Sequence, residues 1–289
     1  MYIVDNAVIM AAGTASRFAP LSYEMHKALI PVKGEILIER QIRQMREAGI
    51  PEIYIVVGYQ AEAFAYLERK FGVHLVKNPD YLSRNNNSSI YAVKDILKNT
   101  YVCSSDNYFA ENPFERVVSD CYYAAVYSHG PTKEWCISYS DDGTIRDVRI
   151  GGEDAWYMLG HTFWDESFSR KFVEILEREY DLPETAGLLW ESIYMRHLDV
   201  LKMKIRKYAD DVVFEFDTLD ELRQFDTGYV DDTHSKILKD IAGRLGCRER
   251  DLHGITAYKD ATNEAAGITF QYGNMQYAYS YKTKALKRA

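Results

Sequence analysis

Residues 7–18, Ala-Val-Ile-Met-Ala-Ala-Gly-Thr-Ala-Ser-Arg-Phe, decide how the rest of the chain is read. Ala7–Met10 is a short apolar run ending on small residues, the pattern of a strand buried on both faces of a parallel sheet. The small residues that follow, Ala11, Ala12 and Gly13, let backbone N–H groups approach phosphate oxygens. Arg17 and, ten residues on, Lys27 bring charge that the backbone cannot supply. Neither GxxxxGK nor GxGxxG is present, so the loop is neither a Walker lysine loop nor a dinucleotide fingerprint. An ordinary strand-to-helix turn would account for the glycine alone; the spacing to Arg17 and Lys27 favours a nucleoside triphosphate.

Outward from this loop, strand and helix patterns alternate. Leu37, Ile38, Ile42 and Met45 recur at helical spacing before Gly49. Ile53–Val57 reads as a strand, Phe64, Leu67 and Phe71 as a helix face, and Val73–Val76 as a third strand. A helix after the polar run Asn85–Ser89 and a strand at Tyr101–Ser104 complete a β-α-β-α series, which predicts a doubly wound sheet with ligands at its C-terminal strand ends. Strands follow at Cys121–Tyr127, Trp135–Tyr139 and Ile145–Ile150, with Asp142-Gly143 as a hairpin turn. Helices follow at Glu166–Glu179 and Gly187–His197, then a strand at Val212–Phe216. The polar stretch Asp226–His234 marks a boundary between residues 1–227 and a small appendage, 228–289. There, one helix face (Ile237, Ile241, Leu245) precedes a hairpin across Gly273-Asn274.

Composition narrows the function. Hydrophobic residues make up 47% of the 289 and charged residues 27%, the usage of an ordinary globular protein. No apolar run reaches the ~18 residues of a membrane span. Met1–Asp5 lacks the basic start of a signal peptide, and Cys103, Cys121, Cys136 and Cys247 form no CxxC pair, so a reducing, cytoplasmic setting is expected. A net charge of -8 argues against nucleic acid as a partner. The oligomeric state is left open, a homo-oligomer included.

Residues 7–33 resemble the signature of nucleotidyltransferases that couple a nucleoside triphosphate to a phosphorylated small molecule. More closely, NNNSSIYAVKDILKNTYVCSSDNYF (85–109), EWCISY (134–139), LGHTFWD (159–165), LLWESIY (188–194) and FEFDTLDEL (214–222) resemble the bacterial CTP:phosphocholine cytidylyltransferases in order and spacing, over about residues 5–226. Two positions depart from the broader pattern: Ala15 stands for its second glycine and His26 for the proline before the lysine. Residues 237–282 resemble, more weakly, the opening of a choline-kinase-like domain, with Ala261-Thr262-Asn263 at its Gly-Met-Thr-Asn position. No kinase catalytic loop follows, so choline phosphorylation is not expected of this segment.

The resemblance implies an α/β, Rossmann-like nucleotidyltransferase fold with a mixed, mostly parallel central sheet and a helix-plus-hairpin appendage. It implies CTP and phosphocholine as substrates and Mg²⁺ as cofactor. Asp106, after the fourth strand, becomes a Mg²⁺ ligand. Glu215 and Asp217 alternate with apolar residues, which predicts two carboxylates on one face of a strand; they join Asp106 as metal candidates, Asp217 preferred. Arg17 and Lys27 become catalytic, and Ala11, Ala12, Gly13 and Ser105 nucleotide-binding. Asn86, Ser88 and Ser89 are candidates for nucleobase contacts or for capping the helix they precede. A quaternary ammonium is recognised by aromatic faces and carboxylates. Trp135 matches the tryptophan that lines the choline pocket, and Trp164, Trp190 and Glu191 could complete a cage, core packing being the alternative for the two tryptophans. Other acceptors, namely a different phospho-amine or a sugar phosphate, a non-catalytic nucleotide-binding paralogue and a nucleotide-sugar glycosyltransferase remain as alternatives. Every residue so assigned precedes Asp226, so the appendage is expected to be dispensable for activity.

Overall fold

The alternation read from the first 110 residues is what the chain builds. The structure is a computed structural model describing residues 1–260 and 265–288, and it falls into two units, Met1–Gly13 with Ile38–Glu215 and Thr14–Leu37 with Phe216–Ala289. In the first unit the opening apolar run is β1 (Asn6–Ala11). α1 (Leu37–Glu47) buries the stripe Leu37, Ile38, Ile42 and Met45. Then come β2 (Glu52–Val57), α2 (Ala65–Phe71), β3 (His74–Lys77), α3 (Asn87–Ala92), β4 (Thr100–Ser104) and β5 (Asn107–Phe109). Next are β6 (Tyr122–Tyr139), β7 (Ile145–Trp164), α4 (Glu166–Glu179), α5 (Trp190–Arg196), β8 (Lys204–Lys207) and β9 (Val213–Glu215).

Seven of these strands form one sheet in the order β8-β6-β7-β4-β1-β2-β3. β7 runs antiparallel to β6 and β4, and the remaining pairings are parallel. The chain leaves β1 for β2 on one side and returns to β4 on the other, so the carboxyl ends of β1 and β4 flank a topological switch point, where open α/β sheets bind ligands. The two strands expected at Cys121–Tyr127 and Trp135–Tyr139 are one continuous strand, and the strand expected to end at Ile150 runs on to Trp164. The polar stretch at 151–154 masks that continuation.

Behind the sheet lies an aromatic core. Trp164 is fully enclosed, its ring 4.7 Å from Phe172 and 5.0 Å from Trp190, and Tyr123 stacks on Trp190 at 5.8 Å. His161, also enclosed, shares a hydrogen bond with the Tyr122 hydroxyl (2.8 Å), and burial lowers its pKa to about 3, which keeps it neutral.

The second unit draws on more of the chain than the segment 228–289. Residues 14–37, a series of single turns at Ser16–Phe18, Leu21–Glu24 and Lys27–Leu29, group with the C-terminal segment. That segment holds α6 (Leu219–Phe225), α7 (Gly228–Asp231), α8 (Lys236–Leu245), β10 (Leu252–Lys259), β11 (Ala265–Tyr272), β12 (Met275–Ser280) and β13 (Leu286–Arg288). The expected hairpin across Gly273-Asn274 is β11–β12, but β10 and β13 flank it in a four-stranded antiparallel sheet. Their half-exposed sequences, without an apolar run, conceal them. The Arg223 guanidinium donates to the carbonyls of Tyr229, Glu249 and Leu252, which ties α6 to the tail. Ala261-Thr262-Asn263 lies outside the described residues. Among the described residues no helix is long and apolar enough to cross a membrane.

Removing a fully enclosed tryptophan leaves a cavity that its neighbours refill only in part. Trp164→Ala is expected to cost ~3–5 kcal/mol in urea denaturation. A loss below ~1 kcal/mol would contradict the core placement.

Candidate active site

At the carboxyl end of β4, the Ser105 N–H donates to Met10 O (3.2 Å), tying the loop to β1, and Ser104 Oγ donates to Asp106 Oδ1 (2.6 Å). β9 pairs antiparallel with β5, Glu215 opposite Asn107, and this register brings carboxylate oxygens of Asp106 and Glu215 within 4.8 Å of each other. Gln41 of α1 is fully buried and donates to the carbonyls of Ser104 (3.0 Å) and Asn107 (2.9 Å), on either side of Asp106. Gln41 is not among the residues the sequence singles out; its signal is a polar side chain beside the apolar stripe of α1. Two converging carboxylates are hard oxygen donors of the kind Mg²⁺ takes, so this donor set fits such an ion.

Ala11 and Ala12 are buried, and a side chain at Gly13 would meet nothing within 4 Å, which leaves open space beside the loop. Ala12 O accepts from Tyr59 N–H (3.1 Å). A Cβ at Gly58 would stand 2.9 Å from that carbonyl, so this close approach requires glycine.

Glu191 opens α5 in a largely enclosed position. Asn86 Nδ2 donates to its Oε2 (3.2 Å) and the Tyr123 hydroxyl to its Oε1 (3.3 Å), while Trp190 N–H donates to Asn86 Oδ1 (2.7 Å). Burial raises the Glu191 pKa to about 7 against the opposing pull of these hydrogen bonds. Trp135 and Trp156, both half-buried, pack against the cluster that contains Tyr123 and Trp190. Trp156 and Tyr123 escape a reading of sequence because neither stands in a short polar motif.

Three expectations change here. Trp164 and Trp190 are core rings, enclosed by Phe172 and by each other, and do not form an open wall for a ligand. Ser88 and Ser89 turn inward, both accepting from Asn78 Nδ2 (2.8 and 3.2 Å), so their hydroxyls are engaged away from any base. Asn86 makes no side-chain cap on α3; it holds Glu191 and the start of α5.

In the second unit, Arg17 Nη1 lies 2.7 Å from Asp217 Oδ2, and Lys27 Nζ 3.8 Å from Asp217 Oδ1. The Lys27 side chain is only 6% exposed and stands 5.5 Å over the Phe18 ring, whereas that of Arg17 is 74% exposed. Lys27 is therefore enclosed, whereas Arg17 is exposed and paired with Asp217. β9 stops at Glu215, which corrects the expectation that Glu215 and Asp217 share a strand face. Asp217 instead precedes the N-cap of α6, its N–H donating to Glu221 Oε2 (2.7 Å) beside the Thr218–Glu221 capping box.

Residues 7–124 match the MobA-like NTP transferase domain family. The chain is 34% identical to the choline-phosphate cytidylyltransferase of Streptococcus pneumoniae over 76% of its own length and 96% of that protein's. It is 35% identical to the 2-aminoethylphosphonate cytidylyltransferase of Lancefieldella rimae over 78% of its length and 93% of that protein's. The chain belongs to the choline-phosphate cytidylyltransferase family of nucleotidyltransferases. Its structure is similar to the solved CTP:phosphocholine cytidylyltransferase of Streptococcus pneumoniae, with a TM-score of 0.74 over 77% of this chain and 97% of that one. An inositol-1-phosphate CTP transferase from T. maritima, 13% identical with a TM-score of 0.60 over 76% and 92% of the two chains, shares the fold.

Within this cytidylyltransferase framework the two departures acquire a physical account. Ala15 sits at φ +46°, ψ +45°, the left-handed region that favours glycine. His26 replaces a ring constraint with a side-chain cap, its Nδ1 accepting the Ala28 N–H (3.1 Å) at the start of the turn that carries Lys27. Relief of the left-handed strain exceeds the entropy that glycine adds to the unfolded chain, so Ala15→Gly should stabilise by ~0.5–1 kcal/mol, a rise of a few degrees in Tm. An unchanged or lower Tm would show that Ala15 carries no strain.

Proposed function

We propose that this cytidylyltransferase transfers a cytidylyl group from CTP to phosphocholine, giving CDP-choline and pyrophosphate. The observation that carries the acceptor assignment is the enclosed Glu191, held by Asn86 and Tyr123 beside an aromatic cluster with half-open Trp135 and Trp156. A quaternary ammonium donates no hydrogen bond, and it is bound by aromatic faces with a carboxylate for charge. The aromatic wall is assigned to the half-buried Trp135 and Trp156 and the counter-charge to Glu191, which the buried Tyr123 holds through its hydroxyl. The four cysteines are free, in keeping with a reducing cytoplasm.

In the proposed reaction a phosphate oxygen of phosphocholine attacks the α-phosphorus of CTP, and the bond to the β-phosphate breaks in line. The residues align two anions and offset their repulsion. The small-residue loop Ala11–Gly13 and Ser105 cradle the triphosphate, and Lys27 and Arg17 stabilise the transition state and the departing pyrophosphate. Asp106 and Glu215 would hold Mg²⁺, which would supply further neutralisation of the triphosphate when bound.

A second reading is an acceptor with a primary amine, of the kind named for the Lancefieldella rimae relative. The Tyr123 hydroxyl and the Glu191 carboxylate favour it, since both can accept from an ammonium N–H. Pyrophosphate release, measured with each of the four nucleoside triphosphates against phosphocholine, phosphoethanolamine, 2-aminoethylphosphonate and glucose 1-phosphate, decides between them. We expect CTP with phosphocholine to give the highest kcat/KM; preference for either primary amine transfers the assignment, and preference for the sugar removes the cage. In the same assay Lys27→Ala should lose ~10²-fold or more in turnover with an unchanged fold. Near-normal turnover would strip Lys27 of its role.

Glu191 gives the acceptor site a pH dependence. A bound cation favours the ionised carboxylate, so below about pH 7 binding must expel a proton from Glu191. KM for phosphocholine should fall up to about tenfold between pH 6 and 8 and then level. In Glu191→Gln only the substrate phosphate's own titration, near pH 6, should remain. The sign for stability is opposite: with its folded pKa raised, neutral Glu191 favours the folded state fully below its usual value of 4.5, and that contribution is lost as pH rises through about 7. Parallel KM profiles for wild type and Glu191→Gln would remove the carboxylate from the acceptor site.

A further inference from the structure

The C-terminal segment has no assigned role, and residues 14–37, which carry Arg17 and Lys27, are built of single turns too short to hold themselves. We infer that residues 216–288 are a positioning frame for that loop, and that Glu24 and Tyr229 are positioning residues that fasten it on either side of Lys27. The inference rests on the role given to Lys27 above.

The fastenings are specific. Glu24 caps α8 across more than two hundred residues of sequence: its Oε1 accepts the N–H groups of Lys236 (2.9 Å) and Ile237 (3.3 Å), and its Oε2 accepts the Ser235 hydroxyl. Helix N-termini leave such donors unsatisfied, and a carboxylate is their strongest partner. Beyond Lys27, the Tyr229 hydroxyl donates to Pro31 O (2.6 Å), and Asp226 Oδ2 accepts the Lys33 N–H (2.6 Å). Tyr23 stacks on Tyr281 at 4.2 Å, and Lys33 Nζ stands 4.2 Å over the Phe225 ring. Lys27 thus lies three residues after one hydrogen-bonded fastening and four before the next.

Between the two segments a cavity of about 460 Å³ opens, lined by Leu21, Met25, Ile30, Tyr229 and His234 among others. Apolar packing is incomplete there, so the polar fastenings carry more of the connection. Asp217, the partner of Arg17 and Lys27, enters from the same C-terminal segment. Residues 228–289, expected to be dispensable for activity, support it on this inference: without them Glu24 loses the helix it caps, Tyr23 its stacking partner and Pro31 the Tyr229 hydroxyl.

The test uses the full chain. Glu24→Ala should lower kcat about tenfold, and Tyr229→Phe, which removes one hydroxyl and nothing else, about fivefold. KM for phosphocholine should hold in both, because the acceptor residues are in the other unit. Glu24→Gln keeps an oxygen that accepts both backbone N–H groups and should restore kcat to within two- to threefold of wild type. Amide hydrogen exchange over residues 16–33 should accelerate in Glu24→Ala and Tyr229→Phe, well below their Tm, a readout that a general loss of stability would not confine to this loop. Wild-type kcat with unchanged exchange in Tyr229→Phe and in a folded Glu24→Ala overturns the inference, as does a parallel rise in KM with exchange spread over the whole chain. Should the wild-type chain release no pyrophosphate with any acceptor, the proposed function fails while the exchange measurement still decides the frame.

Discussion

A lysine ammonium almost wholly shielded from water is the constraint on which the arrangement of the second unit depends. Burying a charge costs several kcal/mol unless partners offset it, and Asp217 stands 3.8 Å away to do so. Asp217 can serve only if it is itself fixed, and it sits where the N-terminus of α6 fixes it, its own N–H bound by Glu221. α6 is anchored in turn by Arg223, whose guanidinium reaches three carbonyls of the C-terminal segment. Each group is held by the next, from Lys27 through Asp217 and α6 to the carbonyls that Arg223 binds. The result is a cation held in place by its surroundings, the kind of preorganised group that the role proposed for Lys27 requires.

Elements that bury their own pattern were legible in the sequence. β1 is an apolar run, α1 an apolar stripe, and α4 carries the expected bounds Glu166–Glu179 because Asp165 caps it and an amphipathic repeat fills it. What stayed illegible depends on residues far apart in the chain. That 14–37 groups with 216–289 follows from contacts such as Glu24 with Lys236 and Pro31 with Tyr229, which no local pattern encodes. The polar run 85–89 looked like a ligand loop, yet Ser88 and Ser89 face Asn78 inside the fold. Aromatic residues were ambiguous for the same reason: Trp164 and Trp190 could line a cage or fill the core, and only the packing around them puts both in the core.

Charge in the first unit suits the proposed acceptor, which carries both signs. Burial raises the Tyr123 pKa, reinforced by the nearby carboxylates of Glu191 and Glu215, and burial raises that of Tyr157, reinforced by Glu134 and Glu215. Both hydroxyls thus remain protonated donors in a field of negative charge. Such a field attracts the ammonium end of phosphocholine and repels its phosphate, so binding by the cage alone would leave the nucleophile opposed. A hard cation held by the Asp106–Glu215 pair would reverse the local sign there. An acidic protein can in this way handle two anionic substrates while keeping a site selective for a cation.

The C-terminal segment and the two departures in the loop bear on one another. The relatives of which this chain covers 96% and 93% match only about three-quarters of it, so they accomplish their chemistry in a shorter chain. In the broader pattern that the loop resembles, a glycine relieves the left-handed turn and a proline stiffens the approach to the lysine, both local devices encoded where they act. Here Ala15 bears the left-handed conformation with its strain, and His26 caps the turn with a side chain. Neither change fixes the loop as firmly by itself. The long-range fastenings through Glu24, Asp226 and Tyr229 supply from outside the rigidity that the loop no longer carries within. A loop held from outside can tolerate substitutions that a self-supporting loop cannot, and Ala15 and His26 stand in the stretch that is so held.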